Sequence, residues 1–270
     1  MFSIGLMQGR MLPPDRFTYQ NFPENNWKEE IDLIDKMGFD FVECLYDEDN
    51  KISSMIEYFK KSKKVEDIDR KRLLRAICLD AITNLSIDDG HKIQNYLRDL
   101  ENFIKILPLE MIILPFLSND SLRDKEFAKK VIDIINSVNL ESMNEGKELR
   151  FALELNLSSD LIIEAFSDLE IKNLGICLDL GNLMHLGLRP EKEIKKLNHL
   201  IYHVHIKDRK IGGPNVILGQ GDVDFLECLN ALKDIEYKGM MTLETSYPYN
   251  PIDCAKDNLL FVNSLFEVNK

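Results

Sequence analysis

Four ionisable side chains stand at the ends of four short apolar runs: Glu154 in FALELN, Asp179 in GICLDLGN, His205 in YHVHIKD and Glu244 in MMTLETS. If these runs are β-strands, period-two alternation groups Ala152, Glu154 and Asn156 on one face. It likewise groups Cys177 with Asp179, His203 with His205, and Thr242 with Glu244 and Ser246. Should those faces look into a barrel, the four ionisable groups meet at its mouth. A carboxylate in a dry interior is costly unless it is paired or bound to metal, and three carboxylates together repel one another. One divalent cation resolves both problems. Three oxygen donors and one imidazole suit Mn²⁺ first, with Mg²⁺ and Co²⁺ close behind, and Zn²⁺ accepts the same set. Taken singly, each residue has an ordinary explanation as a helix cap, a loop ion pair or a hydrogen-bonded core histidine. Four of them in register on consecutive runs favour the metal. His203 lies two residues deeper than His205 and reads as a support for the site.

Weaker candidates flank this set. Gln8 and Arg10 end the first apolar run, and Lys207 and Arg209 follow the seventh. Arg10 and Lys207 are candidates to face a substrate phosphate or hydroxyl. The competing readings are a barrel-carboxylate pair for Arg10 and a solvated loop charge for Lys207. Arg209 reads as a solvated loop charge. Asn156 and Asn182 are candidate hydrogen-bond partners of the substrate. Glu43, ending the second run, is expected either in a buried ion pair with Arg10 or in a catalytic role. The stretch GGPNVILGQG at 212–221 lacks GxxxxGK[ST] and is therefore no phosphate loop. It is expected to be a mobile loop that shapes or covers the site.

The elements that would hold these residues repeat. Eight apolar runs are expected as strands: Ser3–Leu6, Phe39–Cys44, Leu74–Leu79, Met111–Pro115, Arg150–Leu155, Leu174–Leu178, Ile201–Ile206 and Gly239–Leu243. Near-continuous apolar runs mark parallel strands covered on both faces. Amphipathic stretches fill the gaps. Trp27–Met37 carries apolar residues at 27, 31, 34 and 37, one helical stripe, with Gly38 as its C-terminal cap. Further helices are expected over Gln94–Leu107, Ser121–Met143, Ser158–Leu169, Glu191–Leu197, Phe225–Leu232 and Cys254–Phe266. The charged stretch Lys51–Arg75 is helical but less regular. Eight strand–helix repeats predict an α/β fold, a closed (β/α)₈ barrel, with residues 1–270 as one domain.

The composition sets limits on partners. With 34 Lys+Arg against 46 Asp+Glu, the formal charge of −12 repels polyphosphate and argues against nucleic acid. Five scattered cysteines with no CxxC pair suit a reducing compartment. The segment MFSIGLMQGRM lacks a signal-peptide pattern, and no apolar run approaches the ~20 residues needed to span a bilayer. A cytoplasmic protein acting on a small molecule is expected, with no membrane or nucleic-acid partner and with homo-oligomerisation open.

The ordered set Glu154 with Asn156, Asp179, His205 with Asp208, and Glu244 resembles the xylose-isomerase-like barrel superfamily. So do IGLMQGRM, FPENNWKEEI, GFDFVEC and HIKD followed by LGQGDVDF. Within that superfamily the chain is most similar to the sugar phosphate isomerase/epimerase group, which includes the ketose 3-epimerases. The resemblance implies that Glu154, Asp179, His205 and Glu244 hold one divalent metal. It also implies that Glu154 and Glu244 form an acid/base pair moving a proton α to a carbonyl, with the metal stabilising the enediolate. At one position the chain departs from the group: a substrate-contacting histidine three residues after the strand-six aspartate is replaced by Asn182, and His185 lies three residues further on. A dehydratase acting on a polyol would use the same parts. An apurinic endonuclease would need histidines at the ends of strands two and three, and VECLYDED and ICLDAIT have none. A non-catalytic binding barrel would have little use for all four ligands.

Overall fold

The structure, a computed structural model, describes residues 2–11, 22–117, 125–137, 149–167, 173–246 and 250–268. Eight parallel strands close into a barrel: β1 (Ser3–Met7), β2 (Phe41–Leu45), β3 (Leu74–Cys78), β4 (Met111–Phe116), β5 (Arg150–Leu155), β6 (Leu174–Asp179), β7 (Ile201–Ile206) and β10 (Met240–Leu243). The order around the barrel is β1-β10-β7-β6-β5-β4-β3-β2. Each strand lies within two residues of its sequence-predicted bounds. Two short strands, β8 (Asp208–Arg209) and β9 (Asn215–Val216), form an antiparallel hairpin after β7.

The strands are largely apolar because both faces are covered. Phe41, Ala76, Ile113, Ala152, Cys177 and Met240 pack inside the barrel. Alternating residues such as Leu6, Val42, Ile77, Leu153, Ile176 and Val204 pack outward beneath the helices. The inward set continues upward into Glu154, Asp179, His205 and Glu244, all buried. Side-chain alternation thus delivers the four groups to the C-terminal end of the barrel.

The helices are α1 (Trp27–Met37), α2 (Ile52–Lys61), α3 (Val65–Leu73), α4 (Gly90–Ile104), α5 (Lys125–Asn136), α6 (Ser159–Phe166), α7 (Leu180–His185), α8 (Pro190–Leu197), α9 (Phe225–Asp234) and α10 (Pro251–Val268). Helix α1 buries Trp27, Ile31 and Ile34, as its stripe requires. Gly38 closes it at φ 90°, returning its N–H to the carbonyls of Asp35 and Ile34. The stretch 51–75 divides into α2 and α3 because the backbone turns extended at Ser62 (ψ 135°). The end of the expected helix Ser121–Met143, beyond residue 137, and its first residues lie outside the described residues, as does the end of Ser158–Leu169.

Helix α7 was not expected. It springs directly from β6, and its cap is Asp179, whose Oδ1 accepts the Asn182 N–H at 2.9 Å. The aspartate therefore fills both roles weighed for it, helix cap and member of the cluster. Gly181 has a steric reason: a Cβ there would stand 2.9 Å from Lys207 Cγ and 3.0 Å from the Lys207 carbonyl oxygen. The Gly-rich segment 212–221 is tied down by Asp208. That carboxylate accepts the N–H groups of Gly219 (2.9 Å), Gly221 (2.8 Å) and Val223 (3.3 Å).

Candidate metal centre at the barrel mouth

Glu154, Asp179, His205 and Glu244 each offer one ligand atom, and these four atoms lie within 4.8 Å of one another. They come from β5, β6, β7 and the residue just past β10, neighbouring strands around the barrel. Three carboxylates and an imidazole in a buried cluster are a donor set that fits a divalent cation. All four residues predicted as metal ligands are brought together.

His205 presents Nδ1 to the cluster, 3.1 Å from Glu244 Oε2 and 3.7 Å from Glu154 Oε2. Its other nitrogen, Nε2, lies 3.1 Å from Glu43 Oε1. The second Glu43 oxygen accepts from His203 Nε2 at 2.8 Å and from Thr242 Oγ1 at 2.6 Å. Glu43, His203, His205 and Thr242 are fully buried. A carboxylate surrounded by three donors orients the imidazole from behind and leaves Nδ1 to face the cluster. This corrects the ion-pair expectation for Glu43: its carboxylate meets His203, His205 and Thr242 and not Arg10. Facing inward between Phe41 and Leu45, it lies beneath the mouth. His203 lies behind His205 and meets the same Glu43 carboxylate.

Lys207 crosses the cluster, with Nζ 2.8 Å from Asp179 Oδ2 and 2.9 Å from Glu244 Oε2. It is buried, so the solvated-loop alternative does not hold. Arg10 is also buried and places Nη2 3.7 Å from Glu244 Oε1, the barrel-carboxylate pairing foreseen for it. Asn182 Nδ2 donates to Glu154 Oε1 at 3.1 Å. Asn156 stands at the rim, where Nδ2 donates to the Leu117 carbonyl at 3.3 Å. Arg209 overturns its expectation as a solvated charge: Nη1 donates to Asn182 Oδ1 (3.2 Å), and Nε and Nη2 donate to the Gly213 carbonyl (3.2 and 3.0 Å).

The two glutamates that could exchange protons are driven apart. Burial raises the Glu154 carboxyl to about 7, against a weaker opposing pull from His205. Burial also acts on Glu244, but the Lys207 ammonium, His205 and Arg10 outweigh it and hold that carboxyl well below the usual range. Burial opposes the charge on Lys207, yet Asp179, Glu244 and Glu154 keep its ammonium form favoured. A pair of carboxylates with separated pKa values is how one site supplies both an acid and a base.

Two carboxylates near the barrel mouth escaped the sequence reading. Glu30 on α1 is fully buried and accepts the N–H groups of Gly9 (2.9 Å) and Met11 (3.1 Å), fastening the loop that carries Arg10. Its signal was an acid next to Ile31 on the apolar stripe. Asp80, just past β3, is raised to about 6 by burial, against the hydrogen bond from Thr83.

A model of the xylose isomerase-like TIM barrel matches residues 31–265. The chain belongs to this family. Among relatives of this xylose isomerase-like barrel, an uncharacterised protein of Methanocaldococcus jannaschii is 30% identical over 120 residues, 43% of this chain and 40% of that one. The L-ribulose-5-phosphate 3-epimerase UlaE of Escherichia coli is 23% identical over 239 residues, 81% of each chain. A crystal structure of IOLI protein with a binding zinc atom superposes with a TM-score of 0.70, at 18% identity, covering 97% of this chain and 98% of that one.

Proposed function

We propose that this xylose isomerase-like barrel is a metal-dependent isomerase or epimerase of a sugar or sugar phosphate, and that residues 1–270 act as one domain. One observation carries the reading. Glu154 and Glu244 flank a buried four-ligand cluster from strands β5 and β10, separated in the barrel by β6 and β7, with their pKa values driven in opposite directions. The similarity to a ribulose-phosphate epimerase over four-fifths of both chains supports the substrate class. The zinc atom of a similarly folded protein supports a divalent cation.

Glu154, Asp179, His205 and Glu244 would hold the ion, for which Mn²⁺ best suits the donor set. When bound, a divalent cation there supplies Lewis-acid polarisation of a substrate carbonyl. The chain's own residues do the rest. Glu244, held ionised, accepts the proton α to the carbonyl. Glu154, with its pKa near neutrality, returns one. Return to the opposite face of the same carbon inverts it; return to the adjacent carbon isomerises. Arg10 and Lys207 position an anionic or hydroxyl group of the substrate, and Asn156 and Asn182 offer hydrogen bonds. Five buried cysteines and a net charge of −12 are consistent with a reducing, cytoplasmic setting. Among the described residues no helix is long and apolar enough to cross a membrane.

The test is to incubate the Mn²⁺-loaded protein with ketoses and ketose phosphates in D₂O and follow product mass. Deuterium entering α to the carbonyl, lost in Glu154→Gln, is the expected result. Loss of the mass of water would make the protein a lyase, and no exchange with any substrate would overturn the reading.

A further inference from the structure

The carboxamide of Asn182 is held at both ends. Its nitrogen donates to Glu154 Oε1 at 3.1 Å, and its oxygen accepts from Arg209 Nη1 at 3.2 Å. Rotating the amide by half a turn would set oxygen against carboxylate and NH₂ against guanidinium, two repulsive contacts in a nearly closed site where Asn182 is 8% exposed. The Arg209 guanidinium is anchored in turn. Its Nε and Nη2 share the Gly213 carbonyl, which also lies 3.0 Å from His185 Nδ1. The Gly212 N–H returns to the His185 carbonyl at 2.9 Å, and the Ile211 N–H to Asp222 Oδ2 at 2.9 Å. The turn of the β8–β9 hairpin is therefore tied to α7, the helix that carries both Asn182 and His185.

We propose that Arg209 is a positioning residue: anchored by the hairpin turn, it fixes the Asn182 carboxamide with NH₂ toward Glu154 and so keeps that carboxylate oriented in the cluster. A planar guanidinium suits the task because one ion reaches Asn182 and Gly213 through separate, rigidly placed N–H groups, which a lysine ammonium does not match. The proposal deepens the functional reading above and rests on it for the consequence, though not for the geometry.

A double-mutant cycle tests it. Arg209→Met and Asn182→Ala are each expected to lower kcat roughly 10–100-fold, the usual cost of losing an outer support. The KM effect of Arg209→Met should be small, and Arg209→Lys should fail to rescue. In the Asn182→Ala background, Arg209→Met should cost no more than about twofold further, because coupled residues are not additive. Additive losses, or a rise in KM alone, would mean that Arg209 meets the substrate directly and would overturn the proposal. The geometry has its own readout. In ¹⁵N-labelled protein the two Asn182 amide protons should give dispersed, slowly exchanging resonances that collapse and exchange faster in Arg209→Met. Unchanged resonances would overturn the proposal whatever the activity. An inactive wild type with the expected amide behaviour would instead count against the sugar-isomerase reading alone.

Discussion

His205 reaches the cluster through Nδ1 because Nε2 is already engaged by Glu43. This makes Glu43 the sharpest test of the centre outside the four-residue cluster. Glu43→Gln keeps the shape, but it removes a negative charge that faces His205, His203 and Thr242. One end of the new amide would also oppose at least one of those donors. The expected outcome is Mn²⁺ affinity weakened roughly 10–100-fold by titration calorimetry, with far-ultraviolet circular dichroism unchanged. Affinity equal to wild type would show that the imidazole needs no carboxylate behind it. A second residue-scale prediction concerns pH. The Glu30 carboxyl is raised from 4.5 to about 7 by burial, against the pull of the Gly9 and Met11 amides. A folded pKa above the unfolded one means stability that is complete below pH 4.5 and lost as pH rises through 7. In chelator, urea unfolding should therefore give a stability that falls across that window, with a shallower fall in Glu30→Gln. Equal slopes would remove Glu30 from the account.

Helix α7 is the element on which most of the site's order depends. It begins at the Asp179 cap, packs Gly181 against Lys207, carries Asn182 to Glu154 and ends at His185 against the hairpin turn. Gly181→Ala would force a methyl into the Lys207 side chain and carbonyl, an overpacking that costs about 1–3 kcal/mol. Urea denaturation should show that loss, and Mn²⁺ affinity should fall with it as α7 moves off β7. Stability unchanged from wild type would mean that the β6–α7 turn yields freely. The same element shows why legibility was uneven. The eight strands could be read because both faces are buried and each run is apolar almost throughout. The four clustered groups could be read because β-alternation carries Ala152 to Glu154 and Cys177 to Asp179 without ambiguity. Six residues of helix starting inside a strand motif carry no periodicity to detect, so α7 was invisible, and with it the contacts of Asn182 and Arg209. Glu43, in contrast, was visible as an inward strand residue. Its partners sit on β7 and β10, about 160 and 200 residues away in sequence, a separation no local pattern encodes.

At the scale of the whole molecule, the barrel concentrates negative charge where water is excluded. A net −12 chain closes eight strands around a mouth that holds Glu154, Asp179 and Glu244, balanced by Lys207 and Arg10. A divalent cation bound at that point adds attraction to strands β5, β6, β7 and β10 together, so it should stabilise the closed barrel rather than one loop. Binding to the folded state alone adds about 2.7 kcal/mol when free metal stands at about 100 times its Kd. For a chain of this size that corresponds to a rise in Tm of about 5 °C. Differential scanning calorimetry with and without Mn²⁺ should show the shift as a single transition moving upward, since the ligands span half the barrel. His205→Ala should abolish the metal-dependent shift, starting from a metal-free transition lowered by the loss of a buried imidazole that faces Glu43. A shift that survives in His205→Ala would locate the stabilising ion elsewhere on the acidic surface. A transition that splits in metal would mean that β5–β7 and β10 do not unfold as one unit with the remaining strands.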